Sequence, residues 1–434
     1  MLSGGFDPHH WPGKAITANA ALMKNVNKNL VLNLIWQQDS TTRAEISRTT
    51  GLNRATVSAL VQDLIAEGLV REVGPRPATV GRRPVQLEFN EQHRYGIGVE
   101  IGVNCLRAAV VDLKGSVAAI SEEQTEPTLT GEALLNRIAI LVRSVLAKTT
   151  VPRGSLLGIG VGVPGVCDRH DGVVKWSNSL RWQGFPLRNL LSEKTGLPVE
   201  VENQAYLGAY GEAWLGAARS SENVVYVSAG YGIGAGVLIQ RQLYLGSQGF
   251  AGRVGHLSIA FDGPRCGCGN QGCWELFASE RATIERGKQV VRSPGGAALK
   301  MFLKNDELKL SLLMAAAEAG IESAREILAE TGKYLGVGIA GLITAFNPDL
   351  LVVGNSIAEC GEWVLEPMRK EIRSRQISNI FGHIEICTGT LHERAALLGA
   401  AYLLFAERYN LSIGRSVNAL ETMVSARPLA DRRG

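Results

Sequence analysis

A chain of 434 residues that is 45% hydrophobic and 20% charged, with a net charge of +4, has the balance of an ordinary globular protein long enough for two or three domains. No apolar run could span a bilayer, and the opening M-L-S-G-G-F-D-P-H-H lacks the charged-then-apolar layout of a signal peptide, so a cytoplasmic location without a membrane role is expected. Residues 1–90 hold ten Lys/Arg against seven Asp/Glu, so the N-terminus is the part best suited to meeting a polyanion.

Residues 1–16 show no periodic apolar pattern and are expected to be unstructured. The first domain is assigned to residues 17–90. A helix with Leu30, Val31, Leu34 and Ile35 on one face comes first. Thr42-Arg43-Ala44-Glu45 is a capping box that opens a short helix, and Gly51 ends it. Asn53 can cap the next helix, on which Val57, Leu60, Val61, Leu64 and Ile65 face inward and Arg54, Ser58 and Gln62 face outward. Two short helices joined by a Gly turn, the second with a polar outer face, make a helix-turn-helix. The segment from Leu69 to Phe89 reads as two strands around a loop bearing Arg76, Arg82 and Arg83. Such a basic wing suits phosphates or a minor groove. The DNA-contacting candidates are Arg43, Asn53, Arg54, Thr56, Ser58, Gln62, Arg76, Arg82 and Arg83. The plainer alternative is a small helical bundle used for protein contacts.

From Tyr95 the pattern becomes strand-rich. Y-G-I-G-V-E-I-G, L-R-A-A-V-V-D-L and S-V-A-A-I read as three consecutive strands, followed by a helix over about Glu132–Ala147 and the buried strand L-L-G-I-G-V-G-V. The strand–turn–strand arrangement restarts at V-V-Y-V-S-A-G-Y-G-I-G. Late helices are expected over Ser323–Phe346 and Glu393–Glu407, around the strand L-L-V-V-G. Two similar α/β halves imply two lobes with a ligand cleft between them.

Inside the second half lies the segment 256–275, H-L-S-I-A-F-D-G-P-R-C-G-C-G-N-Q-G-C-W-E. Cys266, Cys268 and Cys273 are three of the seven cysteines. Glycines between them allow a tight bend, and His256 completes a four-ligand N/S set for a structural Zn²⁺ with no open position for catalysis. Inert thiols or a disulfide are the alternatives. Cys105, Cys167, Cys360 and Cys387 sit among apolar residues and read as packing.

The motifs C-G-C-G-N-Q-G-C-W-E, A-G-R-V-G-H, V-E-N-Q-A, G-V-P-G and, after the wing, G-R-R-P make the chain resemble a repressor of the ROK family. That family groups sugar-responsive repressors with sugar kinases, and the N-terminal half is most similar to its xylose-repressor branch. The resemblance implies an α/β two-lobed sugar-kinase/actin-like (ribonuclease H-like, duplicated) domain over residues 91–434, preceded by a winged helix-turn-helix. It implies zinc on His256, Cys266, Cys268 and Cys273, and sugar contacts at Asn203, Gln204, Arg253, His256 and Glu275. Asn178 is a further sugar-contact candidate, a turn-forming Asn being its alternative.

Departures from the kinase pattern carry information. The kinases' general base is an Asp at the position of Gln204, and an amide cannot take a proton at neutral pH. Their phosphate loop resembles D-I-G-G-T, where this chain has Glu100-Ile101-Gly102-Val103-Asn104. The second loop, Gly230-Tyr231-Gly232-Ile233-Gly234, carries Tyr where a kinase has Thr. ATP is therefore not expected, and no catalytic residue is assigned. Relatives mostly carry Glu at the position of Arg253. This Arg could pair with Glu275 or face solvent, or it could hold an acidic sugar derivative. The expected function is a repressor of carbohydrate-utilisation genes, binding operator DNA as a homodimer or homotetramer and responding to a sugar or sugar derivative in the cleft. A ROK sugar kinase with an added DNA-binding domain, or a DNA-binding regulator with a dead sugar site, are the alternatives.

Overall fold

The computed structural model describes residues 20–75, 84–126, 128–375 and 384–411. Residues 1–16 and the wing residues Arg76, Arg82 and Arg83 lie outside these. Two compact units divide between Asn90 and Glu91.

In the first unit, α1 (Ala20–Gln37) buries Leu30, Val31, Leu32, Ile35 and Trp36, while Leu34 is only half-buried. Strand β1 (Thr41–Thr42) leads into α2 (Arg43–Thr50). The capping box forms: Glu45 N–H donates to Thr42 Oγ1 at 3.2 Å and Thr42 N–H to the Glu45 carboxylate at 2.9 Å. Such a cap is worth about 1 kcal/mol. Gly51 closes α2 at φ +70°, the left-handed conformation that favours Gly. Helix α3 (Arg54–Ala66) starts from Asn53, whose Oδ1 accepts the Thr56 N–H at 2.8 Å. Val57, Leu60, Val61 and Leu64 are buried, Ile65 is half-buried, and Arg54, Ser58 and Gln62 are exposed. Strands β2 (Val70–Pro75) and β3 (Val85–Phe89) pair antiparallel, and β1 adds to β3, giving the order β1-β3-β2. This is a helix-turn-helix with a small sheet behind it.

The second unit repeats one topology. Strands β4 (Tyr95–Ile101), β5 (Cys105–Asp112) and β6 (Val117–Gln124) form an antiparallel meander. Helix α4 (Gly131–Ala147) then crosses over to β7 (Leu156–Val163), parallel to β4. A three-stranded sheet that sequence periodicity did not reveal follows: β8 (Val166–Asp168), β9 (Val173–Ser177) and β10 (Trp182–Phe185). Helix α5 (Leu187–Thr195) returns the chain to β11 (Val199–Asn203), giving the order β11-β7-β4-β5-β6.

Helix α6 (Gln204–Trp214) carries the chain into the second sheet. There β12 (Val224–Ala229), β13 (Ile233–Ile239) and β14 (Gln242–Leu243) form the meander. After the cysteine segment come α7 (Glu275–Ala278), α8 (Glu280–Arg292), α9 (Ala297–Lys300), α10 (Leu310–Glu318) and α11 (Glu322–Phe346). Parallel strands β15 (Leu350–Gly354) and β16 (Glu385–Thr388), with α12 (Glu362–Arg375) between them, complete the order β14-β13-β12-β15-β16. Each sheet thus has a meander on one side and two parallel strands on the other, which is the duplicated ribonuclease H-like pattern.

The last helix, α13 (Ala395–Tyr409), starts two residues later than its apolar pattern suggests, because His392–Arg394 forms a 3₁₀ turn first. It packs against α6 at backbone contact: a Cβ on Gly399 would meet the Leu207 carbonyl at 1.8 Å, and one on Gly211 the Ala395 carbonyl at 2.1 Å. Only glycine permits that approach. No helix among the described residues is long and apolar enough to cross a membrane.

Candidate functional site

The segment after β14 owes its shape to glycines and backbone bonds. Ser258 bridges Cys273 and Arg265 bridges Gln271, so the chain folds back on itself. Cys266 N–H donates to the Asn270 carbonyl at 2.8 Å, and Asn270 Nδ2 donates to the His256 carbonyl at 2.9 Å. Trp274 anchors the far end. It is fully buried, packs on Gly338 of α11, and its indole N–H donates to the Tyr334 carbonyl at 2.8 Å.

This folding gathers the ligand atoms of His256, Cys266, Cys268 and Cys273 within 4.8 Å of one another. Cys268 Sγ lies 3.7 Å from Cys273 Sγ, and Cys266 Sγ lies 3.8 Å from His256 Nδ1. Thiolates about 2.3 Å from zinc in a tetrahedron sit about 3.8 Å apart. The donor set and its spacing therefore fit Zn²⁺, and all seven cysteines are free of disulfides. Burial, then the neighbouring thiols, pushes the Cys273 thiol up to about 12. A divalent cation would offset that cost and hold it as thiolate. With Nδ1 facing the cysteines, a bound metal would fix the proton on Nε2 and make the other edge of the ring a donor.

Beside this centre, between the two five-stranded sheets, lies a cavity of about 700 Å³. Asn178, Asn203, Gln204, Arg253, His256 and Glu275 all line it. Their roles differ. Asn203 caps α6, Oδ1 accepting the Ala205 N–H at 2.8 Å, while Nδ2 donates to the Gly165 carbonyl at 2.7 Å, so much of its bonding capacity is spent on the scaffold. Gln204 is different: its buried Oε1 has no hydrogen-bond partner among the described residues. Glu275 Oε2 accepts the Ile233 N–H at 3.0 Å, tying the cysteine segment to the Gly230–Gly232 turn. Asn178 is exposed and its amide sits beside Gly267, where an added Cβ would lie 3.3 Å from Nδ2.

Arg253 neither faces open solvent nor pairs with Glu275. It is half-buried, its guanidinium lies 6.0 Å from the Trp176 ring centre, and among the described residues it makes no ion pair. Burial depresses its basicity. Trp176 escaped sequence reasoning because V-V-K-W-S gives no sign that one face of β9 looks into a cleft. Neighbouring Glu202 escaped too. It is 3% exposed, its Oε1 accepts the Asn203 N–H at 2.7 Å and its Oε2 has no hydrogen-bond partner. Burial raises it to about 7.

The other end of the cavity, where a kinase's phosphate loops would stand, is filled with charge. Arg107 of β5 lies 3.5 Å from Glu100 and 3.3 Å from Glu122, and also pairs with Glu393. Burial pushes Glu100 up to about 7, against the pull of Arg107. The β4–β5 turn is tight, Gly102 N–H donating to the Cys105 carbonyl at 2.9 Å. Tyr231 is exposed at the β12–β13 turn.

In the first unit, Arg54, Ser58 and Gln62 share the outer face of α3. The other described candidates make bonds within the unit. Arg43 pairs with Glu72 at 2.8 Å, the Asn53 side chain is the α3 cap, and Thr56 N–H is its donor.

Known proteins resemble this chain along nearly its whole length. The ROK family profile matches residues 96–407, and the profile of the IclR helix-turn-helix domain matches residues 30–74. The xylose repressor of Bacillus subtilis (strain 168) is 36% identical over 394 residues, 89% of this chain and 97% of that protein. A ROK family glucokinase from Streptomyces griseus, solved in complex with glucose and AMPPNP, is 32% identical. The match covers 71% of this chain and 98% of that one, with a TM-score of 0.66. A ROK family transcriptional regulator described as a homolog of the E. coli MLC protein covers 91% of this chain and 99% of its own, with a TM-score of 0.76. At 24% identity that likeness is one of fold. The chain belongs to the ROK family.

Proposed function

We propose that this ROK-family protein is a sugar-responsive transcriptional repressor that binds operator DNA through α3 and its wing and takes its effector in the cleft of the second unit. The observation that carries the reading is the pairing, in one chain, of a helix-turn-helix presenting Arg54, Ser58 and Gln62 with a sugar-kinase-like cleft that has Gln204 where a kinase needs a base. The match to the xylose repressor over both parts supports it. Zinc on His256, Cys266, Cys268 and Cys273 serves as a scaffold that fixes the imidazole tautomer and the position of Glu275. Polar groups that both donate and accept, such as Gln204, Asn178 and His256, suit the hydroxyls of a sugar.

The family includes kinases, so loss of phosphoryl transfer is part of the proposal. Gln204 offers no base, and the carboxylates around Arg107 would repel a triphosphate. The repressor acts as a dimer on two half-sites. An effector that closes the lobes changes the relative placement of the DNA-binding heads, and coupling of about 1–3 kcal/mol per site is enough to release the operator.

The test begins with selection of bound duplexes from a random pool, followed by fluorescence anisotropy on the selected sequence. Specific binding that weakens on adding a sugar or sugar derivative supports the proposal. Absence of sequence preference would refute it. ADP release from ATP with glucose or xylose would show a kinase instead.

A further inference from the structure

Arg253 stands apart from the other half-buried arginines of this chain. Arg107 meets three glutamates, Arg169 pairs with Glu407, and Arg188 pairs with Glu200 and donates to three backbone carbonyls. Arg286 donates to the Phe277 carbonyl and Thr331, and Arg241 to the Ser221 carbonyl. Each therefore has a partner that offsets its desolvation. Among the described residues Arg253 makes no hydrogen bond or ion pair and lies over the face of Trp176. Two acids of the same cavity wall have other partners. Glu275 holds the Ile233 N–H, and Glu202 holds the Asn203 N–H and lies 4.0 Å from Arg169. A half-buried cation with no carboxylate in contact, only the charge of Glu275 acting at longer range, is costly, and so is the buried unpaired oxygen of Gln204. Both costs fall on the wall of one cavity.

One ligand could relieve both. It must offer a hydroxyl or amide donor to Gln204 Oε1 and an anionic oxygen to Arg253. Trp176 lines the same cavity and adds apolar surface beside Arg253. We propose that the effector of this cleft is an anionic sugar derivative whose carboxylate or phosphate is held by Arg253. This rests on the sugar-binding reading of the cleft and sharpens it: a neutral sugar would leave the guanidinium unmatched. The shared chemistry is a polyol with an acidic group, from either a uronic acid or a sugar phosphate.

The experiment is calorimetry on the full-length, zinc-loaded protein with D-glucose, D-glucuronate and glucose 6-phosphate, and with the corresponding xylose and galactose sets. Binding of either anion at least roughly tenfold tighter than its neutral parent is expected, as a charge-assisted hydrogen bond predicts. Which anion wins identifies the source of the charge. Arg253→Gln should abolish that preference, and an unchanged melting temperature and zinc content report that the variant is folded. Should the variant misfold, the salt dependence of wild-type binding serves: affinity for the anion should fall with ionic strength and that for the neutral sugar should not. A neutral parent that binds as tightly as its acids overturns the proposal and leaves the sugar cleft standing. No binding by any member of the panel overturns both.

Discussion

Glu202 is a buried acid whose titration can be read as stability. Its carboxyl is 3% exposed, its Oε2 lacks a hydrogen bond, and burial lifts it from the ordinary 4.5 to about 7. The backbone N–H of Asn203 and Arg169 pull the other way and do not prevail. Because the folded-state value is raised, the native protein holds the proton over a range where the unfolded chain has lost it. The contribution of Glu202 to stability is therefore full below about pH 4.5 and falls by about 1.4 kcal/mol per pH unit up to about pH 7, then levels off. That amounts to roughly 3 kcal/mol for this one residue. Glu202→Gln replaces the neutral acid with an isosteric amide that cannot ionise. Urea melts of wild type and variant at pH 5 and pH 8, followed by tryptophan fluorescence, measure the difference. The variant should gain most of those 3 kcal/mol relative to wild type between the two pH values, with little difference at the acidic end. Parallel pH profiles would refute the reasoning, because they would mean that Glu202 ionises normally through water or a partner.

Arg54→Ala should weaken binding to the selected duplex and lower the slope of log affinity against log salt by about one, if the guanidinium meets a phosphate. Anisotropy titrations at several salt concentrations read both effects, and an unchanged slope and affinity would move the recognition face elsewhere. Cys268→Ser should reduce bound zinc well below one equivalent by elemental analysis and abolish the effector response, while duplex binding survives. Full zinc occupancy with an intact response would refute the scaffold role. Glucose with ATP should give no ADP above background in a coupled assay, even for Gln204→Asp, because the charges around Arg107 remain. Turnover by that variant would show the phosphate end to be open.

What the sequence revealed was what local chemistry decides. The capping box at Thr42 and Glu45 and the cap at Asn53 form as read, because each depends on residues three apart. The cysteine spacing announced its cluster because the four residues fall within one short segment. The strands of both meanders were legible as apolar runs between glycine turns. The sheet β8–β10 and the edge strand β16 were missed, being three to five residues long with mixed polarity. The least legible features are pairings across long separations. Arg107 sits in an apolar strand and meets Glu393, 286 residues away. Nothing near Arg43 marks Glu72 as its partner, and nothing in A-G-R-V-G-H says that the Arg will lie over Trp176 rather than beside Glu275.

The two ends of the cleft differ in how their charges are matched, and that difference separates binding from catalysis. At the phosphate end Arg107 is surrounded by acids of its own chain, so its charge is already neutralised and a nucleotide would have to displace three glutamates to use it. At the proposed sugar end neither Arg253 nor Gln204 Oε1 has a hydrogen-bond partner among the described residues, so an arriving ligand would gain their interactions without breaking an ion pair. A kinase needs both ends available at once, whereas a sensor needs only the second. The same inequality reaches the scaffold through Asn203 and Glu275. One caps the helix that packs at backbone contact against α13, and the other ties the cysteine segment to the β12–β13 turn. A ligand that pulls on Gln204 and Arg253 would therefore act on the first residue of α6 and on the approach to the His/Cys cluster together. Those are the elements from which closure of the two sheets around a ligand would be driven.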